Sequence, residues 1–334
     1  MGEVKMAKKL LGRRPLLFIL TALVLLFFYL RDSLVTTSVM STSVTFGLPL
    51  AMAAMVGIMC ERTGIVNIGI EGTLLVSSFV GFFTASLTGN LLLGLFAAVA
   101  MGAVAGLLLA LLSITWKMDQ IIAGTIINIL ATGLTSFFYK QGHTIPTTFP
   151  EFSLPGLSSI PFFGPVLFVH GPLTFFGIFV IIALWYALYF TPWGLRSRSV
   201  GEHPSSADTA GVSVLKMRYL NVTIAGAIGG LTGAYLTLEL VGSWDRGFSA
   251  GKGFTALALM IFGRWNPLGA LGAGIFFGVA QAITNQLMFS QVITIPQQLT
   301  NMLPYVLTIL ILAISAGKVR APAAEGQPYE KESA

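Results

Sequence analysis

Long apolar segments recur along this chain and leave room for few folds. They lie at Leu16–Leu30, Thr45–Met59, Leu74–Leu87, Leu91–Thr115, Ile121–Phe138, Pro172–Phe190, Tyr219–Leu240, Phe254–Gly263, Leu268–Phe289 and Gln298–Ala316. An apolar helix of about 20 residues spans the hydrocarbon core of a bilayer. Only 10% of the residues are charged, against about 25% in soluble domains, so lipid must cover much of the surface. We predict an all-α polytopic membrane protein with about ten transmembrane helices, some short or broken.

The distribution of basic residues predicts the orientation. Residues 1–15 carry five Lys and Arg residues, and no small-x-small cleavage site follows the first apolar segment, which we therefore interpret as an uncleaved span. Ten crossings from a cytoplasmic N-terminus place 15 of the 19 Lys and Arg residues in cytoplasmic segments, whereas omitting Phe254–Gly263 places 11 there. The positive-inside rule favours the first arrangement, with both termini cytoplasmic, although a re-entrant pair would give the same distribution.

The segments outside the spans differ in length and composition. We expect a single transmembrane domain over residues 16–316, with a long outer loop at 139–171 and a long cytoplasmic loop at 191–218. The stretch 317–334 is rich in Ala, Pro and Glu and has few apolar residues. Such a composition predicts a disordered cytoplasmic tail.

Polar residues within or beside the spans are candidates for a solute pathway. The segment Gly64–Gly72 is rich in glycine and contains Asn67 and Glu71. Broken backbone at membrane depth needs a protein or watery environment, which favours a broken helix near a pathway. The alternative is that Glu71 caps a helix and pairs with Arg62. Asn128 is either a substrate contact or a bridge between helices.

Several function classes lack their characteristic residues. Cys60 is the only cysteine, and no Cys/His cluster or HExxH is present, so we expect no metal site and no catalytic residues. The sequence Gly251-Lys252-Gly253 lacks the spacing of a phosphate-binding loop, so we expect no ATP site and no cofactor in this chain. The net charge of +6 follows the cytoplasmic loops and does not indicate a nucleic-acid partner.

The cytoplasmic loop contains a predicted short helix. Pro204 near its start, Asp208, and Gly211 at its end are typical of a capped helix. Such a helix could dock a soluble partner, or it could be a surface helix without one.

The same loop carries a family resemblance. Coupling helices of ABC importer permeases read Glu-Ala-Ala, three residues, then Gly. In the segment 205–211, Ala207 and Gly211 match this pattern, whereas Ser205 and Ser206 replace Glu and Ala. The divergent form resembles that of the branched-chain amino acid and simple-sugar permeases. Gly64–Gly72, Met118–Asn128 and Met260–Ala270 are similar to permeases of nucleoside importers that use a BmpA-type binding lipoprotein.

The resemblance implies import of nucleosides or related simple sugars across a bacterial plasma membrane. It implies a cytoplasmic ABC ATPase that hydrolyses ATP, a second permease subunit that is usually a different chain, and an extracytoplasmic substrate-binding lipoprotein. It suggests Asn67, Glu71 and Asn128 for the substrate pathway. The suggested ATPase-coupling residues are Glu202, Pro204, Ala207, Asp208, Ala210 and Gly211. The alternative is an ion-coupled secondary transporter of a small polar solute, for which Glu71 and Glu239 are the candidate ion-binding groups.

Overall fold

The computed structural model describes residues 23–289, 302, 306 and 320–330, and these are mainly helical. Residues 23–31 are helical. The helices that follow are α1 Ser33–Glu61, α2 Ile70–Thr88, α3 Leu91–Ala110, α4 Gln120–Phe138, α5 Phe163–Leu167, α6 Pro172–Phe190, α7 Pro192–Glu202, α8 Pro204–Thr209, α9 Val214–Ala234, α10 Lys252–Phe262 and α11 Pro267–Phe289. Two π-helical segments, Leu111–Thr115 and Tyr235–Val241, extend α3 and α9.

Within the described residues, seven helices are long and apolar enough to cross a membrane, and α10 is a shorter apolar helix. The seven are α1, α2, α3, α4, α6, α9 and α11. Helices α3 and α9 are counted together with the π-helical segments that extend them. They correspond to seven of the predicted spans. The predicted spans Leu16–Leu30 and Gln298–Ala316 both lie partly outside the described residues. The total of ten crossings and the cytoplasmic termini therefore stay predictions.

Helix α1 is the buried centre of the bundle. Its residues from Leu48 to Cys60 are almost entirely enclosed by neighbouring helices. The helix starts at Ser33, where Asp32 accepts a hydrogen bond from the amide of Val35. It extends beyond the predicted span Thr45–Met59 at both ends, and Ser43 and Thr45 donate their hydroxyls to carbonyls one turn earlier. Such bonds satisfy polar side chains inside a helix.

Glycines set the closest helix contacts, as their four-residue spacing predicts. A Cβ atom at Gly102 would overlap the backbone of Gly226 and Gly230, so α3 and α9 touch through their main chains. Gly274 and Gly278 of α11 pack in the same way against α1 around Gly47. Small residues let the helix backbones pack closely. Such packing matters in lipid because the hydrophobic effect does not drive helix association there.

The predicted outer loop 139–171 is partly ordered. It contains α5 and a two-stranded antiparallel sheet in which Phe152 pairs with His170 and Ser153 with Val169. The amide of Phe149 donates to the carbonyl of Leu238 in the π-helical segment. This loop covers one end of the bundle, and the short helices α7 and α8 lie at the opposite end, called here the α8 end.

Residues 320–330 belong to the stretch that composition predicts to be a disordered tail, and the structure describes their backbone. These residues lie against the α8 end, and the side chains of Pro322 and Ala324 are buried. The amides of Ala324 and Gly326 donate to the carbonyls of Gly201 and Gly64. A prediction of disorder from composition considers only the side chains, whereas backbone hydrogen bonds hold much of this segment in place.

Candidate functional site

The short helix α10 begins inside the bundle, where a carboxylate from another helix caps it. Glu71 accepts hydrogen bonds from the Ser249 hydroxyl at 2.6 Å and from the amides of Gly251 and Gly253, both at 2.7 Å. The first amides of a helix have no partner within it, and negative charge there is favourable. Of the two interpretations of Glu71, capping is observed, but the capped helix is α10.

The pairing of Glu71 with Arg62 is not observed. Arg62 donates instead to the carbonyl of Trp265 and to the Tyr189 hydroxyl, while the Trp265 indole donates to Glu61. These contacts join the end of α1 to the turn between α10 and α11. The loop that follows the π-helical segment Tyr235–Val241 contacts Glu71 inside the bundle. From there α10 runs to the α8 end, where Arg62 binds the turn that follows it.

Asn67 and Asn128 hold the non-helical segment that precedes α2. The Asn128 amide donates to the Ile68 carbonyl at 3.1 Å, and its oxygen accepts from the Gly72 amide at 2.7 Å. Asn67 is 4% exposed and donates to the sulfur of Cys60. Residues 62–69 thus form a non-helical connection between α1 and α2. Both side chains face protein backbone or sulfur rather than an open cavity.

A cavity of about 410 Å³ lies between α1, the π-helical segment Tyr235–Val241, α10 and α11. Most of its wall is apolar, and three aromatic rings and three polar side chains contribute to it. These are Phe46, Phe248, Phe277, Lys252, Thr255 and Gln281. Ligand sites typically combine apolar and aromatic walls with a few placed polar groups. This cavity is the candidate solute site.

Lys252 is the cationic group of the cavity wall. It is the first residue of α10, and its ammonium donates to the Ser249 carbonyl at 3.3 Å and lies 5.9 Å from the centre of the Phe248 ring. Phe248 also stacks on Trp244, whose indole donates to Ser78 of α2. The cap by Glu71 therefore fixes the backbone from which Lys252 projects.

None of the three residues suggested for the pathway lines this cavity. Glu71 caps α10, which contributes to the cavity wall, and Asn67 and Asn128 position the segment that carries Glu71. The residues missed by the sequence interpretation are chiefly Lys252 and Phe248. Their signal was the glycine-rich stretch 247–253 before an apolar segment too short to span, which is typical of a discontinuous helix.

The second carboxylate proposed for ion coupling has the same kind of role. Glu239, on the π-helical segment, accepts from the amides of Leu173 and Thr174 and from the Thr174 hydroxyl. These groups form the first turn of α6. Both carboxylates proposed for ion coupling therefore cap helices, and this arrangement accounts for their presence without an ion.

The predicted cytoplasmic loop 191–218, called here the coupling loop after its predicted role, contains two short helices joined at His203. Pro204 occupies the first turn of α8, and Gly211 has φ +83° just after it, as the predicted capped helix requires. Ala207 is buried against Val200 and Val214, while Glu202, Ala210 and Gly211 are exposed. The loop thus presents a small, firmly packed helix with an open outer face.

The described bundle has the fold of an ABC transporter permease. It matches a solved chain described as an inward-facing conformation of an ABC transporter of metal-chelate type, with a TM-score of 0.50, 17% identity, and coverage of 84% of this chain and 86% of the other. The family model "Branched-chain amino acid transport system / permease component" matches residues 39–312. The chain belongs to this permease family.

Two curated relatives are similar over most of their length. The guanosine ABC transporter permease protein NupQ of Bacillus subtilis (strain 168) is 38% identical over 313 residues, which cover 88% of this chain and 96% of the relative. The nucleoside ABC transporter permease protein NupC of Lactococcus lactis subsp. cremoris (strain MG1363) is 35% identical over 308 residues, with the same coverage. The chain is therefore an integral membrane transport component rather than an enzyme. Its family implies a separate ATPase and a substrate-binding partner.

Proposed function

We propose that this chain is the permease component of an ABC importer for nucleosides in a bacterial plasma membrane. The observation that carries the proposal is the similarity to the guanosine permease NupQ over nearly the full length of both chains. The cavity beside α10 is consistent with such a solute. Phe248 and Phe277 offer aromatic faces to a base, and Lys252 and Gln281 offer donors to its polar edge.

Asn67, Glu71 and Asn128 contribute to this pathway indirectly. They fix α2 and the start of α10, and so they set the position of Lys252. A displacement of about 1 Å at this point would weaken hydrogen bonds to a bound solute, because such bonds depend steeply on distance and angle.

The α8 end is the proposed docking surface for the ATPase, which makes it the cytoplasmic end. The coupling residues are Glu202, Pro204, Ala207, Asp208, Ala210 and Gly211. Ala207 anchors α8 to the bundle, and the exposed residues around it meet the ATPase. ATP is hydrolysed by that partner subunit, and this chain holds no cofactor. A second permease, different from this chain, completes the pathway, and a binding lipoprotein delivers the solute from outside.

Reconstituted uptake tests this proposal. The chain is assembled with its second permease, ATPase and binding protein in proteoliposomes, and uptake of [³H]guanosine is followed with ATP inside or omitted. ATP-dependent uptake that unlabelled nucleosides inhibit and ribose does not is the expected result. Inhibition by ribose but not by nucleosides would move the assignment to simple sugars. Uptake that needs no ATP and collapses with a protonophore would contradict an ABC mechanism.

A further inference from the structure

Residues 320–330, called here the strap, bind the short helices of the coupling loop. The Ala324 amide donates to the Gly201 carbonyl at 2.9 Å, and the Ala323 amide donates to the Glu202 carboxylate at 3.3 Å. The side chain of Ala324 is 4% exposed. The strap thus holds the C-terminal end of α7, immediately before α8 begins.

The strap also binds the segment that leads into α2. The Gly326 amide donates to the Gly64 carbonyl at 3.2 Å. The buried guanidinium of Arg218 in α9 donates to the Gln327 carbonyl at 3.1 Å and to the Thr63 carbonyl at 3.0 Å. One cation therefore clamps the strap and the α1–α2 turn to the same helix.

The end of the strap adds two further contacts. Tyr329 packs against the cluster of Val200, Ala207 and Val214 that anchors α8. Glu330 forms a salt bridge with Lys117, in the connection between α3 and α4. In addition, burial raises the pKa of the Glu325 carboxyl, which faces Glu61. The strap therefore contacts the protein at several points along its length, while most of its residues stay exposed.

These contacts connect the proposed docking surface to the solute cavity. From Gly201 the strap reaches Gly64, and the segment from Gly64 leads to Glu71. Glu71 caps α10, which carries Lys252 into the cavity wall. Gly201 also abuts the Arg62 carbonyl directly, so the strap lies alongside an existing contact and reinforces it.

We propose that the strap is a positioning element for coupling. It holds α7 and α8 to the α1–α2 turn, so that a movement of α8 imposed by the ATPase displaces Glu71 and α10. Without the strap, the ATPase still binds α8 and hydrolyses ATP, but less of its movement reaches the cavity. The coupling role rests on the proposed function; the physical link between α8 and the α1–α2 turn does not.

Gly326→Pro tests the link with little threat to the fold. Gly326 is exposed and has φ +76°, and its amide is the donor to Gly64. Proline removes that donor and cannot adopt this φ. A chain ending at Val319 serves as the second variant, and Ala321→Ser, at an exposed strap position, is the matched control. In the assembled transporter we would measure guanosine imported per ATP hydrolysed, together with the amount of ATPase that co-purifies.

Both strap variants should retain the ATPase and its basal hydrolysis. Gly326→Pro should import about fivefold less guanosine per ATP, the effect of one typical hydrogen bond on a two-state equilibrium, and the chain ending at Val319, which loses every strap contact, should show at least this decrease. Unchanged import per ATP, or parallel loss of ATPase binding and transport, would overturn the coupling role.

Hydrogen exchange of residues 64–72 in the assembled complex tests the link without any solute. Exchange there should accelerate in Gly326→Pro and not in Ala321→Ser, and equal rates would refute the strap even if wild-type guanosine uptake failed.

Discussion

Replacing Glu71 by Gln should weaken the start of α10 and the solute site together. The carboxylate accepts three hydrogen bonds, two at one oxygen and one at the other. A carboxamide has one acceptor oxygen, which can keep the bonds from Ser249 and Gly251. Its NH₂ group then faces the Gly253 amide, donor against donor.

The size of the effect follows from these bonds. Loss of one hydrogen bond to a charged group costs about 1.5–3 kcal/mol, and removal of the negative charge from a helix N-terminus costs about 0.3–1 kcal/mol more. The free energy of unfolding should therefore fall by about 2–4 kcal/mol on the same basis. Since Lys252 is the first residue of α10, the KM for guanosine should rise as well.

Glu239→Gln is the matched control for this prediction. Glu239 also accepts three hydrogen bonds at a helix N-terminus, but the helix is α6 and its side chain does not line the cavity. Thermal unfolding in detergent should show a similar loss of stability in both variants, whereas KM should rise only in Glu71→Gln. Unchanged stability and KM in Glu71→Gln, or equal KM increases in both variants, would refute the link from cap to cavity.

Three further substitutions test other parts of the protein. Lys252→Met should raise the KM for guanosine at least threefold, the effect of losing about 0.7 kcal/mol of hydrogen bonding, whereas Lys140→Met in the outer loop should leave uptake kinetics unchanged. Gly211→Leu should abolish transport at normal expression, since a side chain at φ +83° reshapes the end of α8; normal uptake would contradict the docking surface. Gly102→Ala should destabilise the protein by about 1–3 kcal/mol because its Cβ overlaps α9, while Gly133→Ala, in open space on α4, should not lower the melting temperature measured in the same detergent.

The sequence predicts the long spans well because their signal is local. Pro172–Phe190 is observed with the predicted bounds, and α4 begins one residue before its prediction, where Asp119 accepts from the amides of Ile121 and Ile122. Uninterrupted apolar runs and capping residues lie within the segments they define. The α8 helix is predictable for the same reason.

The contacts that build the site are not local. Glu71 meets Gly251 and Gly253 about 180 positions later in the chain, and no pattern around Glu71 shows which helix it caps. The strap likewise depends on backbone carbonyls at Gly64 and Gly201, which every residue possesses. Such contacts follow from tertiary packing, so the sequence could suggest the importance of 64–72 but not its connection to Lys252.

A cryo-electron microscopy map of the assembled transporter with guanosine bound would test the solute site most directly. Density for the base should lie against Phe248 or Phe277, with a polar atom within hydrogen-bonding distance of the Lys252 ammonium or the Gln281 side chain. Guanosine density elsewhere in the transporter, with this cavity empty, would contradict the assignment of the cavity as the nucleoside site.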